Sequence, residues 1–311
     1  MGAATVRKSF HLALVFFLLP AGVGLLQAAT AQEGEVRIAT YNLENYLTMP
    51  RRVGGHFRTS AGKPESEKQA VVRMIAEVRP DVLGLMEIGD GRDLEDLRRR
   101  LRAAGIDFPH AEFLEAADST RRIALLSRYP IVERRSQENL PLWVDGMMLH
   151  SPRGILDVTL EPRSGYRIRL LCLHLKSKLE VAEYNEGKLR EAEAREVRRR
   201  VRDILRSEPA TRLIVMGDLN ETKNAECFRQ ITGKPEWPDS LHPLPLTDDR
   251  GERWTHHWGS ADIYSRIDYI LVSRRLEEDI DSARSGIARP PYWREASDHC
   301  PVFVSIKPPA S

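Results

Sequence analysis

Acids, amides and imidazoles stand where apolar runs should continue. Asn42 and Glu44 close "VRIATYNLE", Glu87 interrupts "LGLMEI", His174 sits in "LLCLHL", and Asp218 and Asn220 end "IVMGDLN". Asp268 lies inside "RIDYILVS", and Asp298 and His299 stand directly before "CPVFVSI". Burying an ion without a partner is costly, so these groups need a metal, a mutual hydrogen bond, or both. Taken singly, each has an ordinary explanation: a strand-end surface residue, a turn, a satisfied core histidine or a cap. All of those explanations would have to hold at once, at every one of these strand ends. If those ends lie together, the polar groups converge on one edge of the sheets.

The residue types define the chemistry. Glu44, Glu87, Asp218, Asp268 and Asp298 are hard oxygen donors, and no cysteine cluster or zinc-type histidine spacing accompanies them. Carboxylates beside amides suit Mg²⁺ or Mn²⁺, which are held by few protein groups and keep water in their shells. Two histidines and two asparagines remain for proton transfer and oxyanion contacts. Together they fit attack of water on a phosphate ester: a metal neutralises the phosphate, donors hold its oxygens, and a His–Asp pair activates the water.

These residues must be positioned by strands. Apolar runs at 36–43, 81–88, 122–131, 154–160, 166–175, 212–220, 266–273 and 301–306 have strand length and β-branched content. Several are apolar at nearly every position, which predicts burial on both faces. Between them, 66–79 and 92–105 have helical spacing, stopped by Pro80 and Gly105. The stretch 183–206 reads as a long charged helix, its run Arg198–Arg200 as a solvated face. The segment 48–64 reads as a long, Gly-rich, basic loop that closes over a site or is mobile. "WTHHW" (254–258) reads as aromatic packing in a loop, with base or sugar stacking as the alternative. The economical architecture is one mixed α/β domain over 32–311, with two packed sheets covered by helices.

Residues 1–31 have the layout of a secretory signal peptide: Arg7 and Lys8, an apolar run from Phe10 to Leu26, and small residues before a cut after Ala31. The alternative is a membrane anchor at the short limit of spanning length. Cleavage predicts a secreted or periplasmic protein with no stable membrane anchor, and a monomer is expected. It removes two cations and no acid, so a chain with 47 Lys+Arg and 45 Asp+Glu becomes formally neutral. Such a balance is not built for strong non-specific binding to phosphate backbones, although charge can still be patterned locally. The three cysteines, Cys172, Cys227 and Cys300, cannot all pair and are expected as buried thiols.

In this order, "TYNLENY", "PDVLGLMEI", "HLKSK", "GDLN", "RIDYILVS" and "SDHCPV" resemble the endonuclease/exonuclease/phosphatase superfamily over residues 36–306. That superfamily includes pancreatic deoxyribonuclease, abasic-site endonucleases, sphingomyelinases and inositol polyphosphate 5-phosphatases. The resemblance implies a deoxyribonuclease-like four-layer α/β sandwich, two mixed sheets flanked by helices, and metal-dependent phosphoester hydrolysis. It implies Glu87 as the principal Mg²⁺ ligand, with Asn42, Glu44 and Asp298 as further metal, phosphate or water contacts. His174 resembles the phosphate-binding histidine, and Asp218 and Asn220 the pair on the phosphate and the nucleophile or leaving group. His299 resembles the general base, oriented by Asp268, and Arg153 a phosphate contact. Two positions depart from the pattern: Arg122, where many relatives have Gly, and Leu173, where many have Asn. No aromatic-rich exposed hairpin of the kind a membrane-inserting sphingomyelinase needs is legible. The expected substrate is a phosphate ester, nucleic acid among the candidates. The expected activity is an exported endonuclease, with a phosphatase or phospholipase on inositol phosphate or sphingomyelin as the alternative. A catalytically inactive binding module is disfavoured by the complete set of polar residues.

Overall fold

A computed structural model of the chain describes residues 1–2 and 34–309; the signal-peptide reading of 1–31 lies outside these residues except at 1–2. Two six-stranded mixed sheets carry the fold. The first runs, in spatial order, Ile280–Ile287, Val302–Ile306, Val36–Tyr46, Val82–Ile88, Arg122–Ser127 and His110–Leu114. The second runs Leu241–Pro243, Asp268–Ser273, Leu213–Asp218, Tyr166–His174, Leu156–Arg163 and Ile131–Arg134.

Strand periodicity explains how they stack. Val36 and Ile38 of one sheet and Ile168, Leu170, Cys172, Ile214, Met216, Ile270 and Val272 of the other share one buried apolar layer. The alternate residues face outward. Ala39, Tyr41 and Leu43 pack with Val71, Met74, Leu97 and Leu101 of helices Glu65–Val78 and Gly91–Ala103. Leu171, Leu173, Val215 and Leu271 pack with Leu189, Val197, Val201 and Phe228 of helices Glu186–Ser207 and Glu226–Thr232. Helices, sheet, sheet and helices make the expected four layers. The near-continuous apolar runs follow from this, because each strand is covered on both faces.

The helix limits have local causes. Arg79 ends the first helix in the left-handed conformation (φ 50°), because the proline that follows disfavours further helix there. Asp90 caps the second through a reciprocal box with Asp93. Asn185 caps the long helix, which therefore starts at Glu186 and not at Glu183.

Three expectations are corrected. The run 122–131 is two strands: the chain leaves the first sheet at Ser127 and enters the second at Ile131. Ser127 Oγ donates to Tyr129 O and accepts from Tyr129 N, both at 2.9 Å, which fixes the corner before Pro130. The segment 48–64 is not a loop but a hairpin, Met49–Val53 with His56–Ala61, turning at Gly54–Gly55. Arg198–Arg200 is not simply a solvated face. Arg198 reaches Asp239, Arg200 reaches the fully buried Asp157 at 2.9 Å, and only Arg199 stays on the surface with Glu196 and Asp203. The three cysteines are buried free thiols, as expected.

Candidate active site

The polar residues continue the inward-facing series of the strands past the point where the apolar layer ends. In Val36–Tyr46 the series 36, 38, 40 leads to Asn42; in Tyr166–His174 the series 168, 170, 172 leads to His174. In Leu213–Asp218 it leads to Asp218, and in Asp268–Ser273, read backwards, to Asp268. Register completes the alignment, since His174 pairs with Asp218 and Asp218 with Asp268 across three neighbouring strands. Gly217 permits this, because at its φ of 138° a Cβ would stand 1.9 Å from Leu173 O. Leu173, one of the two departures from the family pattern, faces the helix-covered side and packs there.

The glutamates enter by a different route. Strict alternation would point Glu87 at the helices. The ladder slips between Met86 and Ile88, and Glu87 takes φ 60°, so the bulge turns it to the strand-end edge. A matching slip between Asn42 and Tyr46 puts Glu44 (φ 46°) and Asn45 (φ 59°) in the left-handed region, and Asn220 joins them at φ 50°. Left-handed non-glycine residues are uncommon and cluster where a site over-determines the backbone.

A hydrogen-bond network joins the two sheets. Asn42 Nδ2 donates to Asp218 Oδ2 at 3.0 Å, and Asn42 Oδ1 accepts from Glu44 N at 3.0 Å. Asp218 Oδ1 accepts from Asn220 N at 2.8 Å, while Asn220 Nδ2 donates to Leu175 O at 3.0 Å. His299 Nδ1 meets Asp268 Oδ2 at 2.8 Å, leaving Nε2 facing Asp218 Oδ2 at 3.8 Å and Asp298 Oδ1 at 3.9 Å. His174 Nε2 stands 3.6 Å from Asp218 Oδ2 and 3.9 Å from Glu87 Oε1. Glu87 Oε2 accepts from Asn45 N, and Glu44 Oε2 from Asp298 N, each at 3.0 Å. All the predicted residues meet at this edge. Arg153 borders it, buried, with one nitrogen 3.2 Å from Asp118 and with Nε and Nη1 lacking any partner. Two unmatched guanidinium donors close enough to His174 to disfavour its cation suit a phosphate.

Proton affinities follow from this crowding. Burial, then the charge of Asp298, pushes the Glu44 carboxyl up to about 7, against the pull of Lys63. Burial, then Asp268, does the same to Asp218, also to about 7. Burial works against the His299 cation, but the charge and hydrogen bond of Asp268, with Asp218 and Asp298 behind, hold it well above the ordinary imidazole value. His174 goes the other way: burial, then Arg153 and His299, keep it neutral.

Carboxylates pushed toward neutrality are what a bound cation would ionise, so the donor set fits a divalent metal. Among the described residues, His256 with Asp298 and His299, and Asp218 with Asp268 and His299, each lie close enough to share one ion. Glu44 and Glu87 are in neither group, but Glu44 accepts from Asp298 N and Glu87 stands 3.9 Å from His174, which sets both carboxylates at the border of the same acids. A cavity of about 1110 Å³ lies elsewhere, between the helices Glu186–Ser207 and Glu226–Thr232. Its Arg198 and Arg206 are both held by Asp239, and it contains none of these groups.

Several residues escaped sequence reasoning. Thr255 Oγ1 donates to Asp268 Oδ2 at 2.7 Å and accepts from Asp268 N at 3.1 Å, fixing the carboxylate that holds His299. Ser297 Oγ donates to Asn42 O at 2.8 Å and accepts from His299 N at 3.0 Å. His256 packs its ring 4.6 Å from that of His299 and sets Nε2 3.7 Å from Asp298. Arg121 Nε lies 3.8 Å from Glu87. The signal for two of them was "WTHHW": its Trp254 packs against Trp293 and Tyr264, but Thr255 and His256 face the site.

This fold and edge define a phosphoesterase class in which two sheets present acids and histidines at their strand ends. The profile of the Endonuclease/Exonuclease/phosphatase family matches residues 39–299, and the chain belongs to that family. No curated protein sequence matches it. Solved structures with the same fold include the human nocturnin catalytic domain with bound sulfate, at 18% identity over 88% of this chain and 94% of that one (TM-score 0.60). The 3′ phosphatase NExo from Neisseria, bound to a product DNA hairpin, is 15% identical over 87% and 99% (TM-score 0.56). Sphingomyelinase C from Streptomyces griseocarneus is 15% identical over 88% and 99% (TM-score 0.54). Family and fold together support a metal-dependent phosphoesterase.

Proposed function

We propose that this chain is an exported, Mg²⁺- or Mn²⁺-dependent phosphodiesterase that cleaves nucleic acid as an endonuclease. The observation that carries the reading is the alignment of His174, Asp218 and Asp268 on three adjacent strands, with His299 held 2.8 Å from Asp268. Glu87, Glu44 and Asp298, with Asn42 beside them, would hold the metal. Bound there, a divalent cation supplies charge neutralisation on the phosphate oxygens and lowers the proton affinity of the groups around it. The chain's own residues do the rest. Arg153 and neutral His174 donate to the phosphate oxygens. Asn220, whose backbone N–H is anchored on Asp218, is placed for the nucleophile or the leaving group. His299, with Nδ1 fixed by Asp268, is a base at Nε2 in its neutral form, which is reached once positive charge bound at the surrounding acids lowers the proton affinity that Asp268, Asp218 and Asp298 raise. The neighbour bound to a product DNA hairpin supports nucleic acid as substrate.

A second reading, a phospholipase, is favoured by one observation. The hairpin Pro141–Val144 with Met147–His150 exposes Trp143, Met147 and Met148, so an exposed apolar hairpin is present where none was expected from the sequence. The test is a substrate panel with Mg²⁺: plasmid DNA, RNA, sphingomyelin and inositol phosphates. Nicking of plasmid, stopped by EDTA and restored by Mg²⁺ or Mn²⁺, is expected. Turnover of sphingomyelin or an inositol phosphate with no cleavage of either nucleic acid would overturn the endonuclease. Glu87→Gln should abolish turnover and leave the circular dichroism spectrum intact; near-normal activity in Mg²⁺ would remove Glu87 from the metal site.

A further inference from the structure

We propose that the hairpin Met49–Val53 with His56–Ala61 is a polynucleotide-binding arm, with Arg52 and Arg58 on phosphates and Phe57 under a base. This rests on the nuclease reading and narrows the substrate to a chain of nucleotides longer than the scissile diester.

Charge points to the partner. From Tyr46 to Pro64 the chain has no acid, yet it carries Arg51, Arg52, Arg58 and Lys63 in a protein whose charges otherwise nearly cancel. Two of these cations are structural. Arg51 Nη2 donates to Asn45 O and Leu47 O, each at 2.9 Å, and Lys63 Nζ donates to Glu44 O at 3.0 Å. They tie both ends of the hairpin to the turn that carries Glu44, so the arm springs from the rim of the site. The other two are free. Arg52 and Arg58 are exposed and have no acid partner among the described residues, and Arg58 stands across the ladder from Arg51. Alternation along the strands puts Arg58 on the face of the tied Arg51 and Arg52 on the opposite face with Phe57, so the two free cations offer positive charge on both sides of the arm.

Geometry points to a nucleotide strand rather than a lone phosphate. Phe57 is 65% exposed and lies across from Arg52, so a stacking face and a phosphate donor sit side by side. A cleft of about 660 Å³ lies at the base of the arm: Thr48 and Ser60 line one side and Gly89, two residues past Glu87, the other, with Arg92 and Arg122 set against Asp90 and Asp93.

The test compares the wild type with Arg52→Glu/Arg58→Glu and with Phe57→Ala. Each is assayed on a single-stranded oligonucleotide and on the small diester bis(p-nitrophenyl) phosphate. The expected result is a fall of about 10–100-fold in kcat/KM on the oligonucleotide, with the small diester unchanged, and a log–log salt dependence flatter by roughly 1–2 in the charge-reversal variant. Equal losses on both substrates, or no loss on either, overturn the arm. So does loss of cosedimentation with phosphatidylglycerol vesicles while oligonucleotide turnover is kept, which would make the hairpin a membrane contact. A wild type that hydrolyses the small diester but no oligonucleotide overturns the nuclease reading, and the arm with it.

Discussion

Asp268 and His299 are joined at the residue scale by a buried hydrogen bond. The 2.8 Å contact fixes which imidazole nitrogen faces the reaction, so loss of either partner removes the same function. Asp268→Asn and His299→Ala should each lower turnover by about 10²–10⁴-fold, and the double variant should be little worse than His299→Ala. Strictly additive losses at saturating metal would separate their roles and make Asp218, pushed up to about 7, the better base. The crowded acids also predict a pH dependence. Glu44 is raised to about 7 in the folded chain, above its value when unfolded. Its contribution to stability is therefore complete in acid and is lost as pH rises through about 7. In EDTA, Glu44→Gln should match the wild type near pH 4 and gain on it up to pH 8, by about 2–4 °C in Tm per kcal/mol. Thermal melts at both pH values check this; a constant difference would mean that Glu44 ionises as freely in the fold as outside it.

Alternation and its interruptions decide the site at the element scale. His174, Asp218 and Asp268 were legible because a strand's period of two carries the inward series 170, 172, 174 and 214, 216, 218 straight to them. Glu87 and Glu44 break that period, and only the bulges explain why they share the edge. The narrowest point is Gly217. Its Cβ would collide with Leu173 O, and its φ of 138° excludes other residues without strain. Gly217→Ala should force the parallel pair apart, lowering Tm by roughly 5–10 °C and turnover by more than the lost stability explains. Unchanged melting would show that the two strands can separate without cost.

For the whole molecule, export remains the reading of residues 1–31. Among the described residues no helix is long and apolar enough to cross a membrane. N-terminal sequencing of protein recovered from periplasm or medium should begin near Gln32; an intact Met1 on membrane-bound protein would instead identify an anchor. The composition of the chain determined a good deal by itself. Apolar runs of strand length with helical segments between them suggest two packed sheets covered by helices. A polar residue at the end of such a run has nowhere to go but a shared edge, so the acids, the amides, His174 and His299 could be named from their neighbours, while His256 could not. What the sequence could not carry depends on distances between segments far apart in the chain. Thr255 lies 13 residues before the carboxylate it holds, and Ser297 joins Asn42 across 255 positions. The run 122–131 looks continuous, and only packing divides it between two sheets. Arg51, Arg52 and Arg58 are alike as letters. Whether an arginine ties down a turn or stands free over a cleft is settled by which carbonyls lie within 3 Å of it, and that is a property of the folded chain alone.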